Sequence, residues 1–192
     1  FPYTTLFRSG AISFYPQSLN VAQWDPCGFQ LAFGGDMGYI GLVRKFEGLG
    51  SAVIEEKMVN LSENWQEVVR LLGHQSDVVD LAWRSPTILA SASLDNSVIV
   101  WNIQTHERIL KLVGHTSFVK AVAWDPRGEF LASISDDQRV IIWGIPSGQI
   151  VNVLTKPFER SPVSSCTGMK MDWSPDGSKL IEIGRASCRE RV

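Results

Sequence analysis

Short apolar runs separated by polar punctuation fill the middle of the chain. Val78–Trp83, Ile88–Ser93 and Val98–Trp101 are rich in β-branched residues and are bounded by Pro, Asp, Asn and Gly, which predicts three strands. Val98-Ile99-Val100-Trp101 and, further on, Val140-Ile141-Ile142-Trp143 are continuously apolar, as strands are when both faces are covered. Glu107–Val113 and Gln149–Leu154 are more polar and predict an outer strand with one wet face. The pattern thus describes a four-stranded antiparallel unit with a neighbour on each side.

That unit is written twice, as a repeat of about forty residues: Gly73–Val113 and then Gly114–Leu154. His74 matches His115, Trp83 matches Trp124, Ser93 matches Ser135, Asp95 matches Asp137 and Trp101 matches Trp143, with a single-residue gap in one turn. Four strands per unit, stacked sheet on sheet, make a propeller blade. At these separations a hydrogen-bonded chain can run from the Trp ring N–H through Ser and His to the Asp in the turn. The expected clamps are His74, Ser93, Asp95 and Trp101 in one copy and His115, Ser135, Asp137 and Trp143 in the other. Each such bond contributes on the order of 1 kcal/mol net, and stranding a buried partner costs about 1 to 3 kcal/mol. The same His, Ser and Asp types could be read as hydrolase triads. Their recurrence once per repeat, each time with a Trp, fits a structural clamp instead.

The glycine before each His and the Trp six positions after each Asp resemble the WD-repeat family, whose seven-bladed propellers this pattern implies. A ring of that kind needs about 300 residues. The expected fold is therefore all-β, a WD-repeat β-propeller fragment holding about three to four blades of a seven-bladed ring.

On either side of the clean repeats the pattern weakens. Residues 10–72 form a degenerate blade with a long loop: Val21-Ala22-Gln23-Trp24-Asp25-Pro26-Cys27-Gly28 lines up with Val122-Ala123-Trp124-Asp125-Pro126-Arg127-Gly128. There Tyr15 stands for His, Gly35 for Ser, Met37 for Asp and Val43 for Trp, so the blade must rely on apolar packing. Lys45–Asn64 is a long connection, and Trp65–Leu72 supplies the outer strand before Gly73. Residues 155–181 read as a polar linker with two prolines and a truncated repeat, with strands at Met169–Trp173 and Lys179–Ile181 around the turn Ser174-Pro175-Asp176-Gly177.

The two ends change the charge count. FPYTTLFRS at 1–9 can be encoded by TTTCCCTACACGACGCTCTTCCGATCT, and the reverse complement of that string, slightly extended, encodes IGRASCRERV at the other end. The string resembles a sequencing adapter, so residues 1–9 and about 182–192 are expected to be an assembly artefact. Without them, 14 basic stand against 18 acidic residues, a net charge of −4. A mildly acidic surface argues against direct, sequence-specific nucleic-acid binding, which shows a basic stripe, and is compatible with a basic protein partner. Cys27 and Cys166 form no paired framework, which fits a reducing compartment. No apolar run reaches the length of a membrane span.

There is no Gly-rich phosphate loop, HExxH, nucleophile elbow or metal-spaced Cys/His cluster, so no catalytic residue, cofactor or metal is expected. What remains is a rigid disc with many loop-bearing edges, suited to holding other proteins. The head of each innermost strand and the residue before each turn Asp reach the narrow face of such a disc, which selects Asp77, Leu94, Phe118, Lys120 and Asp136. Phe118 beside Lys120 is the best anchor for a partner, with packing against the next blade as its alternative.

Trp65–Trp83, the phrase Val119-Lys120-Ala121-Val122-Ala123-Trp124-Asp125-Pro126, and above all Thr155-Lys156-Pro157-Phe158 followed by Trp173-Ser174-Pro175-Asp176-Gly177 resemble the N-terminal propeller of the HIR histone-chaperone subunit. The resemblance implies a nuclear scaffold that deposits histones outside replication and regulates transcription as a repressor. It also implies contact with a ubinuclein (Hpc-type) subunit, and with histones through the complex. The nearest alternative is the middle subunit of chromatin assembly factor, and a more distant one a generic WD-repeat signalling adaptor. A propeller enzyme would need a convergent polar cluster at its central channel, and none can be named.

Overall fold

A computed structural model describes residues 18–45, 65–155 and 170–183. The expected artefact at 1–9, most of the long connection, the linker around Lys156–Phe158, Tyr15 and Cys166 lie outside these residues. Every regular element among them is a strand: β1 (Leu19–Trp24), β2 (Gln30–Gly35), β3 (Tyr39–Lys45), β4 (Trp65–Leu72), β5 (Val78–Ser85), β6 (Ile88–Ser93), β7 (Ser97–Asn102), β8 (Glu107–Val113), β9 (Val119–Trp124), β10 (Phe130–Ser135), β11 (Arg139–Gly144), β12 (Gln149–Thr155), β13 (Lys170–Trp173) and β14 (Leu180–Ile183). They form three antiparallel four-stranded sheets in the orders β1-β2-β3-β4, β5-β6-β7-β8 and β9-β10-β11-β12, and a two-stranded sheet, β13-β14. Three whole blades and the inner half of a fourth are what the repeat pattern predicts.

Turn chemistry explains the small differences between blades. The β1–β2, β9–β10 and β13–β14 turns each carry a glycine with positive φ, at Gly28 (75°), Gly128 (70°) and Gly177 (71°). Asp25 and Asp125 each accept the amide of the residue that opens the next strand, Gln30 at 2.9 Å and Phe130 at 2.7 Å. The β5–β6 turn is one residue shorter, and β5 runs on to Ser85 through a bulge that pairs Ser85 with Ile88.

The cores lie between sheets. Ala92, Val98, Val100 and Leu112 of the second blade pack on Val122, Leu131, Ile141 and Trp143 of the third. The other face of the second blade, with Leu89, Ile99 and Trp101, packs on Ala32, Ile40, Leu42 and Leu71 of the first. This double coverage is why β7 and β11 carry no polar alternation. Leu112 on β8 is 3% exposed under the third blade, whereas Leu154, at the matching place on β12, is 46% exposed. Polar rivets join the blades as well. The inner-strand indoles of Trp83, Trp124 and Trp173 donate to the backbone carbonyls of Gln23 (3.0 Å), Ala82 (3.0 Å) and Ala123 (3.2 Å), each on the preceding blade's inner strand.

The first blade replaces polar chemistry with bulk. Val43 opposes Leu31 as Trp101 opposes Leu89, and Phe33 opposes Gly41 as Ser91 opposes Ile99. The buried Phe33 ring lies over Gly41, where any Cβ would collide with it. Gly41→Ala should therefore cost about 1 to 3 kcal/mol through overpacking. In a chemical-denaturation double-mutant cycle, adding Phe33→Ala should cost less than it does alone; additive losses would contradict the plug.

Candidate functional site: a buried relay and the exposed blade edge

Trp101 and Trp143 stand on the third strands of their blades, with their rings turned toward the preceding blade. Trp101 Nε1 donates to Ser91 Oγ at 2.9 Å, and Ser91 Oγ lies 2.7 Å from His74 Nε2. His74 Nδ1 is 3.0 Å from Asp95 Oδ2. The next blade repeats these contacts through Trp143, Ser133, His115 and Asp137 at 2.8, 2.7 and 3.0 Å. Each group has one role when Nδ1 carries the imidazole proton: Nδ1–H donates to the carboxylate, Nε2 accepts from Ser, and the Ser oxygen accepts the indole N–H.

The serines differ from those the repeat alignment selects. Ser93 and Ser135 sit one residue pair beyond the relay. Ser93 Oγ donates to the Ser76 carbonyl at 3.1 Å and accepts the Asp95 amide at 3.1 Å; Ser135 Oγ does the same with Ser117 (2.9 Å) and Asp137 (3.1 Å). They brace the turn. Both serine pairs recur, so alignment alone cannot choose between them. Strand parity can: Trp101 opposes Leu89, and the first polar residue on that face of β6 is Ser91.

Close approach explains the glycine before each His. A Cβ on Gly73 would lie 2.7 Å from Trp101 Cη2, and one on Gly114 2.8 Å from Trp143 Cη2, closer than real contacts allow. Burial fixes the ionisation of the relay. Desolvation pushes the His115 imidazole below its ordinary pKa, against the opposing pull of Asp137. Burial alone would raise the carboxyls of Asp95 and Asp137. Bonds from His74, Ser97 and the Gln75 amide outweigh it for Asp95, and bonds from the Thr116 amide and His115 do so for Asp137, so both lie below the usual range. Ser91 and Ser133 are 0% exposed, so neither hydroxyl can reach a substrate. The relay ties strands together and offers no attacking oxygen.

Chemistry available to a partner lies on the blade edge. Phe118 is 46% exposed, Lys120 Nζ sits 5.4 Å from its ring centroid, and the same ammonium pairs with Asp136 at 3.1 Å. Asp136 N donates to the Phe118 carbonyl at 3.0 Å, so one backbone brace gathers all three residues. Asp77 and Leu94 occupy the same places one blade earlier, joined by the equivalent bond of 3.0 Å, with Val79 where Lys120 stands. In the first blade the brace recurs between Ser18 and Asp36 at 3.4 Å, and Asn20 Nδ2 reaches Asp36 Oδ1 at 3.4 Å. Ser18, Asn20, Asp36 and Val79 escape the sequence reading, which sought edge residues only where a turn Asp marked the place. Cys27 is a free, exposed thiol. No group of three or more His, Cys, Asp or Glu side chains among the described residues is arranged to hold a metal.

Stacked four-stranded sheets joined at their inner strands, each clean blade locked by a Trp–Ser–His–Asp relay behind a Gly-His pair, define a WD-repeat β-propeller. Residues 9–173 match the family model described as the CAF1B/HIR1 beta-propeller domain. The chain belongs to that family. It is 49% identical to Protein HIR1 of Cryptococcus neoformans var. neoformans serotype D over 117 residues, covering 60% of this chain and 13% of that protein. It is 38% identical to Protein HIR1 of Mycosarcoma maydis over 173 residues, 88% of this chain and 17% of that one. With the B-type subunit of chromatin assembly factor 1 from Gallus gallus it shares 30% over 187 residues, 87% of this chain and 33% of that one. The chain thus spans a third or less of the length of these relatives.

Two measurements test the relay. Ser91→Ala leaves both the Trp101 N–H and His74 Nε2 without their partner and should lower unfolding free energy by about 1 to 3 kcal/mol; an unchanged urea midpoint would remove Ser91 from the chain of bonds. The second is pH dependence. A His whose folded pKa is depressed contributes stability above the ordinary value of about 6.5 and loses it as the pH falls below that value. Asp95 and Asp137, also depressed, contribute above about 3.9 and lose their share below it. Wild type should show an acid-side step beginning near pH 6.5 that His115→Asn lacks, and parallel profiles would refute it.

Proposed function

We propose that this chain is a protein-interaction platform in a histone-chaperone complex that assembles nucleosomes outside replication and regulates transcription, acting in the nucleus and without catalysis. Membership of the CAF1B/HIR1 propeller family carries the reading, and the relatives named HIR1 favour the HIR-type complex. In this reading the partner is a ubinuclein (Hpc-type) subunit, with histones reached through the complex. The platform's contact face is the blade edge bearing Asp77, Leu94, Phe118, Lys120 and Asp136. Phe118 supports that choice: it is a large apolar ring held out at the surface with one side braced by a cation, and aromatic anchors carry a disproportionate share of binding energy. The relatedness to chromatin assembly factor 1 favours a second reading, a component of that assembly.

Calorimetric titration of the complete subunit with the Hpc-type subunit tests the first reading. Phe118→Ala with Lys120→Glu should weaken binding by at least about 30-fold, equivalent to 2 kcal/mol. Wild-type affinity in that variant would move the contact face elsewhere. Copurification of the parent with the replication-coupled assembly in place of the Hpc-type subunit would favour the second reading.

A further inference from the structure

We propose that Asp80 and Lys170 form a charge latch that crosses the third blade and holds the inner strand of the fourth against the ring. Three residues before the inner-strand Trp, successive blades carry Val21, Asp80, Ala121 and Lys170. An acid and a base thus flank an alanine, the smallest of these side chains, and Ala121 is fully buried. Asp80 Oδ2 accepts the Val122 amide of the third blade at 3.1 Å, while Oδ1 is paired with Lys170 Nζ of the fourth. One carboxylate therefore joins three blades.

The pair is asymmetric. The Asp80 side chain is 4% exposed and the Lys170 side chain 60% exposed. Burial pushes the Asp80 carboxyl above its ordinary pKa, with Lys170 and the amides of Val122 and Leu81 opposing that shift. Asp172 is the one other charged side chain, among the described residues, on the wall of the adjoining cleft, which Gln23, Trp83 and Trp124 also line. Among those residues Lys170 is thus the only cation there. The rest of the contact is small: Met171 is buried against the third blade and Trp173 donates to Ala123. Removing the ammonium would leave a buried carboxylate without a counter-charge, a larger penalty than losing an exposed ion pair.

Hydrogen exchange on the full chain reads this directly. Lys170→Gln should speed exchange of the β13 amides by at least about tenfold relative to β5–β8, whereas Asp80→Asn combined with Lys170→Gln should restore much of the protection. Lowering the pH through the folded pKa of Asp80 should shrink the Lys170→Gln effect, because the protonated acid needs no counter-charge. If Lys170→Gln does not fold, recovery of folded protein in the double variant supports the latch. Parental protection in Lys170→Gln, or a double variant no better than the single, overturns it.

Discussion

A sheet covered on both faces can carry a polar group in its interior only if every hydrogen bond of that group is met. The second and third blades meet this condition with one chain of bonds, from the indole of Trp101 or Trp143 to the carboxylate of Asp95 or Asp137. The chain joins the third strand to the second, and the second to the loop that enters the blade and the turn that leaves it. Gly73 and Gly114 belong to the same solution, since each lets the loop pass over the indole edge. Four separated positions in each repeat are therefore one structural object.

The first blade shows that the condition has a second solution. Phe33 takes the serine position, Val43 the tryptophan position, and Gly41 supplies the room. No polar group is left there to satisfy, so the exchange is consistent at every position. What the blades share is the inner-strand tryptophan: Trp83, Trp124 and Trp173 bind the preceding inner strand whether or not that strand's own blade contains a relay. Cohesion between blades and cohesion within a blade thus rest on different residues.

Much of this was legible in the chain because covering both sheet faces leaves a periodic trace. The continuous apolar runs of β7 and β11, the wetter outer strands and the duplicated His, Asp and Trp gave blade number, strand order and most of the relay. The relay serine was ambiguous because Ser91 and Ser93, and Ser133 and Ser135, share a strand face and both recur; only cross-strand pairing separates them. The Phe33–Gly41 plug was hidden because bulk complementarity between facing residues has no motif. The role of the inner tryptophans was missed for a related reason: their acceptors are backbone carbonyls, which any residue can supply. The Asp80–Lys170 pair was out of reach because it skips a blade, a distance that exists only once the sheets are stacked.

The backbone bond that recurs at the edge of three blades bears on how such a frame gains a distinct surface. Ser18 with Asp36, Asp77 with Leu94 and Phe118 with Asp136 are held by the same amide-to-carbonyl contact, which makes no demand on side-chain identity. Fold stability therefore does not select among the residues there, unlike those of the relay, each of which has one admissible chemistry. The edge passes from a polar Asn20–Asp36 pair, through Val79 and Leu94, to Phe118 under Lys120 and Asp136. A partner reading this face would meet a different combination of charge and apolar surface at each blade. Buried bonds fix the spacing of those combinations, and the spacing stays constant however the side chains vary.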